Sequence, residues 1–423
     1  MEFADFILAH DGDDLGALAL SRGKYLADVE DFDLALTTLE VRRKLRTKVP
    51  QWHAVPGLRY PVRLSGEQCS SAETAIYKAS VAASACRANS NPSLLAENAG
   101  TQSVPEVKSL ICGRKCGFSV ADLTGGLGVD SWAFSKVASE VLYNEMQPPL
   151  AAAVEHNFKA LGADNVRVRC LEIVPGNIAE VLDGFKPDII FMDPARRAED
   201  GRKVFRLEDC RPDVLKLLPE LLETAPRVLL KLSPMADITL VYKQLSGVKE
   251  VHVVAAEGEC KELLLLLERG YEGEYSTIMY ESGAVLCVDQ VQGQNGLGDI
   301  TIGAGQVLFE PGKALLKAGA FDLPCRYGLQ KLGRNTHYYI GEVPEELRPF
   351  GKCFEILEVR PLNNKTIKDL GKRYPQASVT ARNIPLTSEE LRKKLGVRDG
   401  GTVHVFGLKM DSLGNLLICC SAT

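Results

Sequence analysis

A chain of 423 residues is too long for one ordinary core, so two to four domains are expected. Its 45% hydrophobic and 25% charged residues are the balance of an ordinary soluble globular protein. The formal net charge of -5 gives no overall signal for nucleic acid, so basic patches have to be weighed locally.

The opening MEFADFILAHDGDD is acidic and lacks both a basic segment and a long apolar run, so no secretory leader is expected. The 12 cysteines are scattered, which fits reduced thiols in a cytoplasmic protein. Cys112 and Cys116 have no second such pair, so no metal site is expected from them. The apolar run Leu263–Leu267 is far too short to span a bilayer, and no membrane partner is expected.

The first segment, 1–106, is predicted to be mainly helical, with apolar spacing of three and four over Asp14–Ala19, Asp31–Arg43 and Ser71–Ala88. Between the second and third helices lies the basic run Arg42–Lys48, followed by Trp52. Lys44, Arg46 and Lys48 are candidates for phosphate contact and Trp52 for stacking on a base, although a solvated helix face gives the same pattern. Ser70 or Ser71 fits the cap of the third helix. Asn89–Ser103, rich in Asn, Ser, Gly and Pro, reads as a loop or domain joint.

From 107 to 270 strand and helix patterns alternate. Strands are predicted at Ser119–Leu123, Val137–Asn144, Val166–Cys170, Ile189–Met192, Val228–Leu232, Val251–Ala255 and Leu263–Leu267. Helices are predicted at Ser131–Ser135, Pro149–Leu161, Asn177–Leu182, Arg211–Leu222 and Asp237–Leu245. Such alternation predicts a doubly wound parallel sheet, whose ligands bind beyond the carboxyl ends of the strands.

The first strand runs into VADLTGGLGVDS, where Thr124, Gly125, Gly126 and Gly128 form a turn and Asp130 and Ser131 open a helix. Glycines there let the backbone approach a small ligand at a helix N-terminus. Asp122, Glu145 and Glu172 fall at three successive strand ends. Glu145 follows Asp122 by about the spacing at which an acid receives ribose hydroxyls, and Glu172 suits an adenine amine. The fourth strand ends in Asp193-Pro194-Ala195-Arg196-Arg197, a rigid turn followed by two arginines able to meet phosphate or a base. No GxxxxGK[ST] occurs, which argues against a nucleotide hydrolase. The turn lacks G-x-G-x-x-G, which argues against a dehydrogenase.

Asp122–Gly128, Glu145, Glu172 and Asp193–Arg196 resemble the first four motifs of class I S-adenosylmethionine-dependent methyltransferases. LRTKVPQW (Leu45–Trp52), EQCSSAETAIYKAS (Glu67–Ser80), FEPGKALLKAGAF (Phe309–Phe321) and RNTHYYIG (Arg334–Gly341) resemble the bacterial THUMP-like-domain methyltransferases, so the likeness covers nearly the whole chain. The resemblance implies a Rossmann-like class I sheet, a helical N-terminal domain, a ferredoxin-like module over 271–328 and a THUMP-like α+β domain over 329–423. It implies S-adenosylmethionine as cofactor, with the Asp122–Gly128 loop on its methionine part, Asp130 also at the cofactor, Glu145 on the ribose and Glu172 near adenine. Gln68, Ser70 and Ser71 would approach the cofactor from the N-terminal side. Asp193 and Pro194 would border the target atom, with Arg196 and Arg197 toward substrate.

Ring-carbon methylation needs a cysteine nucleophile. The strand after the Asp193 motif ends Leu230-Lys231-Leu232-Ser233-Pro234 without a thiol, and Cys210 falls in a helical lead-in. Transfer to a nitrogen or hydroxyl is therefore expected, and the resemblance implies structured RNA, tRNA or rRNA, as the substrate. A noncatalytic RNA-binding protein and a methyltransferase for protein or small molecules stay open as alternatives.

Beyond Tyr271, YSTIMY and AVLCV read as strands, Gly293–Gly305 as a glycine-rich stretch and Pro311–Ala320 as a helix starting on proline. Later strands are predicted at Tyr338–Ile340, Cys353–Arg360, Ala377–Ala381, Thr402–Leu408 and Leu416–Cys420, with helices at Thr366–Arg373 and Ser388–Leu395. Lys365, Lys368, Lys372, Arg373, Arg382, Arg392, Lys393 and Lys394 cluster there, either as an RNA-backbone surface or as solvated helix faces.

Overall fold

The computed structural model describes residues 2–25, 29–87, 116–196, 206–291 and 300–422. The predicted Asn89–Ser103 joint, Cys112, Arg197 and the 293–299 part of the glycine-rich stretch lie outside them. The chain divides into two compact units, the first comprising residues up to His252 together with Glu262–Tyr275, the second comprising Val253–Lys261 and Ser276 onward.

The first unit opens with helices. Phe3–His10, Leu15–Leu20 and Phe32–Lys48 bury Phe6, Ile7, Leu18, Phe32, Ala35 and Leu39 in one apolar cluster. Asp14 and Asp31 cap the second and third of these by accepting the amides of Ala17 and Leu34, which fixes where each helix starts. Arg63–Gln68 and Ala72–Arg87 follow.

The sheet comprises β1 (Cys116–Asp122), β2 (Ala138–Asn144), β3 (Val166–Arg169), β4 (Ile189–Met192), β7 (Arg227–Leu232), β8 (Val248–Ala256) and β9 (Glu259–Glu268), with a small ribbon of β5 (Ala195–Arg196) and β6 (Cys210–Arg211) apart from it. Its order is β3-β2-β1-β4-β7-β9-β8. The pairs β1–β2, β2–β3, β1–β4 and β4–β7 are parallel, as the alternation predicts. β9 departs from that pattern by running antiparallel to β7, Leu230 opposite Leu265. The cause is local: Glu257 and Gly258 both take positive φ, 53° and 76°, the geometry of a two-residue hairpin turn. An apolar run buried on both faces carries no mark of strand direction.

The order reverses on either side of β1, so the crevice at the carboxyl ends of β1 and β4 is the topological switch point where such sheets bind ligands. β4 is apolar and buried along its length, and β1 and β2 are buried over their later residues, because helices such as Val129–Ser135 and Pro148–Ala160 cross between the strands.

In the second unit, β10 (Ser276–Glu281) and β11 (Ala284–Cys287) form a hairpin. A seven-stranded sheet has the order β13-β14-β12-β15-β18-β17-β16. Its strands are β12 (Val307–Pro311), β13 (Gln330–Lys331), β14 (Tyr339–Ile340), β15 (Gly351–Pro361), β16 (Ser378–Arg382), β17 (Val403–Met410) and β18 (Gly414–Ala422). Pro311 closes β12 and does not open a helix; the helix begins at Lys313, with Glu281 accepting the amides of Lys313 and Ala314. Alternation along β18 sends Leu417 and Cys419 to the face covered by helices Asn364–Arg373 and Ser388–Leu395, and Ile418 and Cys420 to the other.

Candidate active site

The loop after β1 is held by its own side chains. Asp122 is fully buried; its carboxylate accepts the Ser131 hydroxyl at 2.6 Å and the Thr124 amide at 3.2 Å. Burial, with Asp130 and Asp193 nearby, pushes its pKa up to about 8 against the help of those donors. Thr124 Oγ1 accepts the Asp193 amide at 2.6 Å, which ties the β1 loop to the end of β4.

The glycines divide by role. A Cβ at Gly125 would stand 2.1 Å from the Tyr143 ring, and one at Gly128 would meet Val154 and Phe158. Their smallness thus serves packing within the protein. Gly126, at φ 53°, has open space at its Cβ position. Its amide donates to Glu145 Oε2 at 3.0 Å, while Glu145 Oε1 accepts the Gln147 amide at 2.9 Å. Each oxygen of this carboxylate keeps a lone pair for a further donor. Glu172 stands exposed beyond β3.

Asp130 is where the N-terminal helices enter the site. Its Oδ2 accepts the Ser70 hydroxyl at 2.8 Å, and its buried Oδ1 lies 3.1 Å from Lys78 Nζ without an aligned hydrogen bond. Ser71 accepts the Thr74 amide and so caps helix Ala72–Arg87, and Gln68 is exposed at the end of the preceding helix.

Asp193, half-buried, and Pro194, buried, follow β4. Asp193 Oδ2 lies 2.5 Å from Lys231 Nζ on β7. Burial opposes the Lys231 charge, but Asp193, Glu262 and Asp130 outweigh it and raise its pKa. Lys231, Lys78 and Glu262 went unassigned in the sequence, where the lysines are single charges among mostly apolar neighbours and Glu262 follows Lys261 at the edge of the Leu263–Leu267 run. Arg196 lies in β5, and its side chain is outside the described residues.

Cys210 is not in a helical lead-in but in β6, its backbone opposite Arg196. Its thiol is buried, and that burial, with neighbouring acids, pushes its pKa up to about 12, the reverse of an activated nucleophile.

The basic run is largely occupied. Lys44 Nζ bonds Glu67 at 2.6 Å and Glu40 at 3.2 Å, and Lys48 Nζ donates to the Glu67 carbonyl at 2.6 Å. Trp52 is fully buried, stacked on Tyr60 with Trp132 edge-on, and in this conformation has no face to offer a base. Arg46 is exposed.

Asp130, Glu145, Asp193 and Glu262 outnumber the two lysines even with Asp122 holding its proton, so the site suits a cationic ligand. The sulfonium and ammonium groups of S-adenosylmethionine fit that balance, and Glu145 fits vicinal hydroxyls.

Residues 351–422 match the model of a THUMP domain-like family, and residues 308–347 that of a ferredoxin-like domain. Over 100% of this chain and 97% of the other, the fold matches a crystal structure described as a "putative methyltransferase from Porphyromonas gingivalis W83", at 29% identity and a TM-score of 0.77. The chain thus carries a THUMP-like domain over residues 351–422 and resembles the Porphyromonas gingivalis structure along its whole length. Smaller overlaps include the SAM-dependent methyltransferase NGO1261 from Neisseria gonorrhoeae (21% identity, 37% of this chain, 63% of that one, TM-score 0.26). Another is an rRNA methylase from Streptococcus thermophilus (12% identity, 38% and 92%, TM-score 0.27). Overlaps of that extent carry no functional weight. Comparison with curated proteins returns no match. Among the described residues, no helix is long and apolar enough to cross a membrane, and no group of three or more His, Cys, Asp or Glu is placed to hold a metal.

Proposed function

We propose that this chain is an S-adenosylmethionine-dependent methyltransferase acting on a nitrogen or hydroxyl of structured RNA, without a covalent cysteine intermediate. The observation that carries the reading is the acid-rich cluster at the switch point, which joins the Asp122–Asp130 loop, Glu145 and the Asp193–Lys231 pair. Asp122 shapes the loop from behind, Asp130 and Gly126 line it, and Glu145 would take the ribose. Glu172, Gln68 and Ser70 would lie around the cofactor, while Ser71 acts through the helix it caps. Asp193 and Pro194 would border the acceptor atom. The full-length likeness to the Porphyromonas gingivalis structure supports the methyltransferase part of this reading.

The case for RNA rests on the THUMP-like domain and on Lys365, Lys368, Lys372, Arg382, Lys393 and Lys394, all exposed. Arg373 and Arg392 are bound to Glu358 and Glu389 and contribute less. The test is incubation with methyl-labelled cofactor and total RNA from a strain lacking the protein. Label in RNA supports the reading. Label only in protein or small molecules redirects it, and cofactor binding without transfer marks a noncatalytic RNA-binding protein. Asp193→Ala should abolish transfer while leaving S-adenosylhomocysteine binding largely intact.

A further inference from the structure

Behind Asp193 runs a buried ladder of alternating charge. Lys231 Nζ stands 2.5 Å from Asp193 Oδ2. Glu262 on β9 holds Lys78 through both carboxylate oxygens, at 2.8 and 3.0 Å, and attracts Lys231 as well. Lys78 also donates to Ser70 Oγ at 2.8 Å. Lys78 and Glu262 are buried, and they come from the helix Ala72–Arg87 and from β9, the antiparallel neighbour of β7. Buried ion pairs are poor devices for stability, because desolvation offsets their attraction. A ladder that ends at the residue bordering the acceptor points instead to the handling of charge there.

The two candidate acceptors make opposite demands on such a site. An amino nitrogen attacks as a neutral lone pair and becomes cationic as its new bond forms, so a fixed ammonium beside it works against the reaction. A hydroxyl is a weak nucleophile until its proton is partly withdrawn. A carboxylate that takes the proton and an ammonium that stabilises the growing negative charge on oxygen together meet that need. The sequence also places Arg196, not an aromatic residue, where a stacking ring would steady an amino-bearing base.

We propose that the acceptor is a hydroxyl, and on RNA the ribose 2′-hydroxyl, with Asp193 as proton acceptor and Lys231 as the donor that stabilises the oxygen. The 2′-hydroxyl is the free hydroxyl that every internal RNA nucleotide carries. Lys78 and Glu262 are positioning residues that keep Lys231 charged and aimed. The proposal rests on the methyl-transfer reading above. The hydroxyl oxygen supplies the electron pair of the new C–O bond, and its proton passes to Asp193 and then to solvent. The cofactor, when bound, supplies an electrophilic methyl carbon whose bond to sulfur breaks with the electron pair retained by sulfur.

The test is alkaline hydrolysis of RNA labelled by the full chain. A 2′-O-methylated nucleotide lacks the hydroxyl that attacks the neighbouring phosphate, so label is expected in alkali-resistant dinucleotides. Label in mononucleotides overturns the proposal, as does the absence of RNA label from protein that binds S-adenosylhomocysteine. Failure of that binding removes the methyl-transfer reading itself, and calorimetry distinguishes the two. Lys231→Met should lower kcat by about 100-fold with S-adenosylhomocysteine affinity unchanged, and Lys231→Arg should retain more activity. Equal kcat for Lys231→Met and the parent overturns the role of Lys231. Glu262→Gln should lower kcat while KM for RNA and cofactor affinity hold; a loss confined to thermal stability overturns its positioning role.

Discussion

Replacing Lys78 by methionine keeps the reach of the side chain and removes its charge, which isolates the pair that ties helix Ala72–Arg87 to β9. The ammonium is fully buried and touches Glu262, Ser70 and Asp130. Removing one partner of a buried pair costs about 3–5 kcal/mol, because the other charge stays buried alone. Burial already raises the Glu262 pKa despite the pull of the two lysines, so this carboxyl can take up a proton when Lys78 is gone. The loss should therefore sit near the lower figure, about 3 kcal/mol, at pH 8, and be smaller at pH 5. Lys78→Met with Glu262→Met removes both charges and should recover most of it, since apolar replacements of a buried pair are often close to neutral. Urea unfolding followed by tryptophan fluorescence measures this cleanly. Both tryptophans, Trp52 and Trp132, lie in the first unit with ring centroids 6.2 Å apart. A cost below about 1 kcal/mol for the single variant, or a double variant no more stable than the single one, would refute the reasoning.

Three further predictions follow from the same geometry. Asp122 has a folded pKa of about 8, so the native state holds a proton that the unfolded chain has released; its contribution is present at low pH and lost as pH rises toward and through 8. Asp122→Asn should therefore gain in urea midpoint relative to the parent between pH 5 and 9, and parallel curves would contradict the burial argument. Gly125→Ala drives a methyl into the Tyr143 ring and should cost about 1–3 kcal/mol, whereas Gly126→Ala meets open space and pays only the positive-φ strain of about 1 kcal/mol. Equal losses in thermal midpoint would show that the two glycines are not distinguished by packing. Cys210, buried with its pKa at about 12, should react with a thiol reagent at pH 8 far more slowly than exposed Cys170, as site-resolved mass spectrometry would show.

Much of the sheet was legible because its strands are short apolar runs bounded by glycine, proline and acids. Asp122, Glu145 and Asp193 were legible because each carboxylate closes an apolar run, and the order of those ends follows from the alternation. What the run Leu263–Leu267 hid was direction: a strand buried on both faces looks alike either way, and only the Glu257-Gly258 turn carried the hint. Lys78, Lys231 and Glu262 were hidden for a related reason. The partner of each lies on another element, at a sequence distance that no local spacing rule spans. Trp52 shows the opposite error, an aromatic beside cations that packs into the core.

Binding of S-adenosylhomocysteine to the full chain, stripped of copurified ligand and titrated in a calorimeter, tests the central claim most directly. The account predicts saturable binding at one site per chain, weakened by Glu145→Ala and largely kept by Asp193→Ala. Absence of binding by the folded, ligand-free protein would contradict it.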